Sequence, residues 1–319
     1  MSVMERFQSL QGLLVAGAAV LGFGVGLLLA PGAAAAAGGL VLPALLIMLV
    51  GVFSQLSSGR LGAIRDARGL LAASLVLNFA LTPALAWALG AGLLGDQPDL
   101  RIGLLLLLVT PCTDWYLVFT AAARGHTGIG AALLPLNLGL QLVLLPVYVL
   151  LLGGQAAMVD ARTLAEAVLL VLLVPLAVAF VLRRTGAAER YAPAIGTATP
   201  LLLCLAVAAM FAAHARTVTA HGAEILMLLP ALLAFFLVLP VLAVLAARLL
   251  RLPADRRVTL IMVTTARNSP IALGLAVTAF PDRPLIALAL VVGPLLELPV
   301  LALLTQLVRA APPRRTPPG

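Results

Sequence analysis

Three ionisable side chains, Asp114, Arg267 and Glu297, stand deep inside long apolar runs, and the thiol of Cys112 lies two positions before the first of them. A charge at a lipid-facing helix centre costs about 2.5 to 3.5 kcal/mol on insertion scales. All three should therefore face the protein interior or a wet cavity. Brought together, they would bind or gate a small solute and couple its movement to an ion, with Arg267 as a fixed positive charge and one carboxylate able to take a proton. The plainer role for the same residues is a buried ion pair, Asp114 with Arg267, that sets how two parts of the chain pack. Buried pairs are weak stabilisers, whereas intramembrane ionisable groups mark pathways.

The stretches that carry these residues are interrupted. Thr110-Pro111-Cys112-Thr113-Asp114-Trp115-Tyr116 breaks the apolar run from Ile102 to Ala123 near its midpoint, and Asn268-Ser269-Pro270 breaks the run from Val258 to Phe280. Proline removes a backbone donor and a carboxylate has no water in lipid, so such a break is tolerated where it lines a protein cavity. There Cys112 would be open to a soft ligand such as trivalent arsenic or a thiophilic metal. The other reading of Cys112, and the one given to Cys204 on its bland segment, is a small buried hydrophobe. Asn268 and Ser269 sit at the break itself and are the favoured hydrogen-bonding partners, with Thr113. Asn78, Asn137, Gln141, Thr264 and Thr265 lie within helical segments, either lining the site or joining helices at about 0.6 kcal/mol each. Trp115 and Tyr116 either shape the cavity or pack. His126, His214 and His221 fall in loops, in no zinc-binding spacing with cysteine.

What positions these groups is a membrane architecture. Of 319 residues 63% are hydrophobic and only 10% charged, with a mean hydropathy of +1.16, so the bilayer must be the solvent for most of the surface. Ten apolar segments are expected: Leu10 to Ala30, Leu40 to Leu56, Leu70 to Leu89, Ile102 to Ala123, Ile129 to Leu152, Thr163 to Leu182, Ala194 to Ala213, Ile225 to Leu250, Val258 to Phe280 and Pro284 to Val308. The Gly/Ala-rich link from Pro31 to Gly39 reads either as an interfacial turn or as an extension of the second segment. A net charge of +8 would suggest nucleic acid in a soluble protein. Here it follows from loop arginines, and no nucleic-acid partner is expected. With the amino terminus cytoplasmic, fifteen arginines (including Arg60, Arg65, Arg183, Arg184, Arg314 and Arg315) fall inside and four, Arg101, Arg162, Arg216 and Arg283, outside. That bias places both termini in the cytoplasm and the protein in the plasma membrane.

The two halves look related. The broken fourth segment precedes one with a central Pro146, and the broken ninth precedes one reading Gly293-Pro294-Leu295-Leu296-Glu297-Leu298-Pro299-Val300. An offset of five helices inverts the second copy, as in secondary transporters whose sites lie at the midplane. The expected fold is an all-α polytopic membrane protein of ten helices. It forms a single unit of two inverted five-helix repeats, 1–152 and 153–309, with helices four and nine crossing, and a flexible cytoplasmic tail, 310–319.

Three motifs carry a resemblance. These are Pro111-Cys112-Thr113 with the following Ala123-Arg124-Gly125, Thr264-Thr265-Ala266-Arg267-Asn268-Ser269, and Val291-Val292-Gly293-Pro294-Leu295-Leu296-Glu297-Leu298-Pro299-Val300. On them the sequence resembles the bile acid/sodium symporter superfamily, and within it the arsenical-resistance (arsenite efflux) permeases. The resemblance implies a core domain of crossed broken helices beside a panel domain, alternating access, and arsenite or antimonite efflux driven by the proton gradient. It carries over Cys112, as a contact for As(III), and Glu297. The sequence departs from that pattern at Asp114, where the arsenite permeases are apolar. It also lacks the ninth-helix Glu and Gln that hold sodium in the bile-acid branch; Arg267 stands close to that position and can replace a bound cation electrostatically. The alternative is a carrier of a small organic anion paired to Arg267. A membrane-embedded enzyme or sensor using Asp114 as an acid has no nucleophile-base spacing, cofactor motif or output domain behind it, and no cofactor is expected.

Overall fold

The computed structural model describes residues 3–54, 67–113, 115–153 and 161–310, and these are helical almost throughout. Among the described residues there is no strand; the one departure from helix and loop is an isolated backbone bridge discussed below. Among the described residues seven helices are long and apolar enough to cross a membrane.

In chain order, α1 spans Val3–Leu28, α2 Pro31–Gly38 and α3 Val41–Ser54. The link read as either a turn or an extension is therefore helix, with proline at the start and alanines behind it, the composition that favours a first turn. α4 spans Arg68–Leu93, and after it α5 (Pro98–Leu108) and α6 (Trp115–Ala122) stand on either side of the first break. α7 spans Thr127–Leu152, α8 Arg162–Arg184 and α9 Ala192–Ala213. A short helix, Gly222–Leu226, leads into α10 (Leu228–Leu249). α11 (Ala254–Thr265) and α12 (Ser269–Ala279) flank the second break, and α13 (Pro284–Ala310) ends the described chain. Arg60, Arg65, Arg314 and Arg315 lie outside the described residues, as does the tail 311–319.

Two of the long helices contain π-helical turns, Leu77–Leu81 in α4 and Leu169–Leu173 in α8, each followed two residues later by a proline, Pro83 and Pro175. A proline cannot donate to the carbonyl four residues back, and widening the preceding turn absorbs the lost bond. In α4 that carbonyl, of Phe79, accepts instead from the Tyr148 hydroxyl on α7. The π-turn also carries Asn78, which is fully buried.

Helices α1, α2 and α3 gather around α9, with the second half of α8 packed on α3, while α5, α11 and α12 pack among α4, α10 and α13. The two groups meet where α1 lies on α13 and α3 on α12. Without a hydrophobic driving force between helices in lipid, close backbone approach has to supply the cohesion, and α1 provides it with small residues. A Cβ built on Gly22 would come within 2.2 Å of the Ala208 carbonyl oxygen, and one on Gly26 within 2.4 Å of that of Ala212, both on α9. Nothing lies within 4 Å of a Cβ on Gly17 or Gly24. We expect Gly22→Ala to destabilise the solubilised protein by about 1 to 3 kcal/mol, as overpacking does. Gly24→Ala should raise stability by about 0.5 to 1 kcal/mol through helix propensity. Thermal unfolding of the two variants side by side checks this; melting temperatures moving in the same direction would remove the packing argument.

Candidate functional site

The site is built where two interrupted helices exchange backbone hydrogen bonds. α5 stops at Leu108, before Pro111, and α11 stops at Thr265, after which Ala266 is extended. Asn268 restarts the second helix: its Oδ1 accepts the Ile271 N–H at 3.1 Å, and Pro270 occupies the first turn, where no donor is needed. Between the breaks the chains run antiparallel, with Pro111 opposite Arg267. The Cys112 N–H donates to the Ala266 carbonyl (3.1 Å) and the Asn268 N–H to the Thr110 carbonyl (2.8 Å). Unwound backbone in the interior must find such partners, and here each break supplies them to the other.

Arg267 sits at the centre and is 2% exposed. Its backbone N–H donates to Glu297 Oε1 at 2.9 Å. Its guanidinium turns elsewhere, donating to the Leu108 carbonyl (2.8 Å), to Asn78 Oδ1 (2.8 Å), to the Thr265 carbonyl (3.4 Å) and to the Thr264 carbonyl, with the Phe235 ring centroid 5.4 Å away. Leu108 ends α5, and Thr264 and Thr265 end α11. Helix C-termini leave carbonyls unpaired and carry partial negative charge. The guanidinium therefore caps both half-helices at once, which gives the fixed positive charge read from sequence a definite counterpart.

Around this centre the sequence-derived residues gather. Cys112, Thr113, Asn268, Ser269 and Glu297 are all buried, and Asn268 Nδ2 donates to Thr113 Oγ1 at 2.8 Å across the two breaks. Thr110 holds the end of its own helix, its hydroxyl within 2.9 Å of the Leu106 and Leu107 carbonyls. Asp114 lies outside the described residues, and with it the expected pairing with Arg267. Asn78 and Phe235 turn out to be direct partners of Arg267. Asn78 stood only among the secondary polar residues, and Phe235, in a run of apolar residues, carried no signal at all. Tyr116 packs, fully buried, its hydroxyl donating to the Gly130 carbonyl. A void of about 20 Å³ adjoins the crossing, lined by Arg267, Asn268, Ser269, Pro270, Pro294 and Glu297 together with Leu203 and Leu298. It has room for about one water.

A separate cavity of about 470 Å³ opens where the ends of α9 and α12 meet α2 and the start of α13, and it shares no lining residue with the void. His214 and Arg216 are the ionisable groups on its wall. Burial pushes the His214 imidazole below its ordinary value of 6.5.

A family model described as "Sodium Bile acid symporter family" matches residues 42–221, more than half of the chain. The chain belongs to that family. As a member of the sodium bile acid symporter family it is a multi-span membrane transporter and not an enzyme. The matched stretch includes Cys112 and Thr113 and ends before Arg267 and Glu297. The chain is also similar to a protein of Corynebacterium glutamicum named "Arsenical-resistance protein Acr3". The two are 24% identical over 286 residues, covering 83% of this chain and 77% of the relative. That alignment is long enough to include one or both of the broken helices.

Proposed function

We propose that this transporter exports arsenite or a related trivalent metalloid from the cell by proton-coupled alternating access. The observation that carries the proposal is the placement of the Cys112 thiol and the Glu297 carboxylate, both buried, at one crossing of unwound backbone. A thiol is a soft donor suited to trivalent arsenic, and an interior carboxylate is the natural carrier of a proton. The similarity to a protein named for arsenical resistance points the same way. Thr113, Asn268 and Ser269 would complete the lining, and Asp114 would add a second carboxylate. A void of about 20 Å³ is too small for the solute, so a closed state opened by relative movement of the two helix groups is the corresponding reading. In this proposal ten helices form two inverted repeats, helices four and nine cross at the midplane, and both termini face the cytoplasm of a plasma-membrane protein.

Transport of an organic anion bound by Arg267 is the second reading. It is the weaker one because the guanidinium already donates to Leu108, Thr264, Thr265 and Asn78. The deciding experiment is arsenic accumulation in an efflux-deficient bacterial host carrying empty vector, the native protein or Cys112→Ser at matched expression. Lower accumulation with the native protein alone is the expected result. Equal accumulation in all three would sink the arsenite assignment and leave the organic anion as the substrate to pursue.

A further inference from the structure

Four polar atoms on the buried face of α7 have no hydrogen-bond partner among the described residues: Nδ2 and Oδ1 of Asn137, and Nε2 and Oε1 of Gln141. Asn137 is 0% exposed and Gln141 1%. Four residues apart on a helix, they stack on one side. α7 packs against α5, α6 and α11, the helices on either side of the two breaks, and also against α8 and α4. Ser269 Oγ, at the second break, is likewise buried without a partner among the described residues. The Thr82 and Thr120 hydroxyls are also buried without a partner among the described residues, but only Asn137 and Gln141 leave two whole amides open one turn apart, and native structures seldom tolerate that.

We infer that Asn137 and Gln141 form a subsite for a neutral, hydroxyl-bearing solute, the undissociated acid rather than its anion. This deepens the proposed function and rests on it for the identity of the cargo. Each carboxamide presents an NH₂ that only donates and a carbonyl oxygen that only accepts. A bare cation would satisfy the two oxygens and strand the two NH₂ groups; an anion would do the reverse. A small acid carrying several hydroxyls offers O–H donors and oxygen acceptors together and fills all four positions. Charge leads to the same guest. The described ionisable groups at the crossing, Arg267 and Glu297, are of opposite sign, and a neutral solute enters without adding an uncompensated buried charge. Selection would then be shared, with the Cys112 thiol recognising the soft central atom and the amides recognising its hydroxyls.

The test uses the purified full-length protein and two neutral trihydroxy acids at pH 7, arsenous acid and boric acid, the second having hydroxyls but no affinity for thiols. Melting temperature is followed with each, for the native protein, Cys112→Ser, and the double variant Asn137→Leu/Gln141→Met. Replacing unpaired amides by apolar groups of similar shape leaves the fold intact or firmer; should the double variant fail to purify, the two single variants serve instead. Boric acid is expected to raise the melting temperature of the native protein and of Cys112→Ser but not of the double variant, and arsenous acid to raise that of the native protein more than that of either variant. Arsenite efflux by the double variant should fall by about tenfold or more. No boric acid effect on the native protein, an undiminished effect on the double variant, or native-level efflux by the double variant, which would mean that the amides hold only water, each overturns the subsite. A boric acid effect that needs the amides, without any arsenite effect or efflux, would keep the subsite and dismiss the arsenite reading.

Discussion

Arg267→Ala is expected to remove most of the folded protein, not merely its transport. The guanidinium donates to the Leu108 and Thr264 carbonyls, more weakly to that of Thr265, and to Asn78 Oδ1, all within the buried crossing. Alanine leaves these acceptors unmade and leaves Glu297 without its opposing charge. Breaking a buried charged network by removing one partner costs about 3 to 5 kcal/mol, a large share of a net stability of about 5 to 15 kcal/mol. Arg267→Lys should recover part of the loss, because an ammonium keeps the charge but cannot span acceptors at the ends of two helices. The readout is the monodisperse fraction after detergent extraction, with thermal unfolding of whatever is recovered. An alanine variant that purifies with an unchanged melting temperature would refute the capping role.

Glu297→Gln is expected to do the opposite, sparing the fold and stopping transport. Glutamine keeps an amide oxygen in place of Oε1, so the Arg267 backbone N–H at 2.9 Å retains an acceptor. What disappears is the negative charge and the capacity to take up and release a proton. The fold should lose about 1 kcal/mol, the difference between a charge-assisted and a neutral hydrogen bond. On the proposed proton-coupled export, arsenite efflux should drop by about tenfold or more, as loss of the coupling carboxylate would require. Glu297→Leu, which also removes the acceptor, should impair both. Efflux at the native rate by Glu297→Gln in proteoliposomes with an imposed proton gradient would exclude this carboxylate as the proton carrier.

The same contrast explains how far the residues could be read in advance. Apolar length and proline position are local properties, so among the described residues the stretches expected to be apolar are largely helical, and the helices stop at Leu108 and Thr265 beside the breaks anticipated from Pro111 and Asn268-Ser269-Pro270. The link from Pro31 to Gly39 stayed open because alanine and glycine admit either helix or turn, and docking of α2 on α9 goes with the helix. Asp114, Arg267 and Glu297 could be nominated because a charge is costly in an apolar run, and Cys112, Thr113, Asn268 and Ser269 because they stand at the breaks. Their partners could not. Asn78 lies 189 residues from Arg267 in the chain, and nothing in a single segment says which interior amide will meet which interior cation.

By itself, then, the sequence determined that this is a membrane protein with two interrupted helices, one break beside Cys112 and the other beside Arg267. Composition alone makes lipid the solvent, and lipid forces ionisable groups inward. Tertiary structure decided the roles within that interior. It joined Pro111 to Arg267 through backbone and gave the Arg267 backbone N–H to Glu297 Oε1. It spent the guanidinium on the carbonyl ends of two half-helices, and it left the amides of Asn137 and Gln141 open. The cost of burying a polar group is written in its residue type, whereas the partner that offsets the cost is chosen by which helix ends the fold brings within about 3 Å.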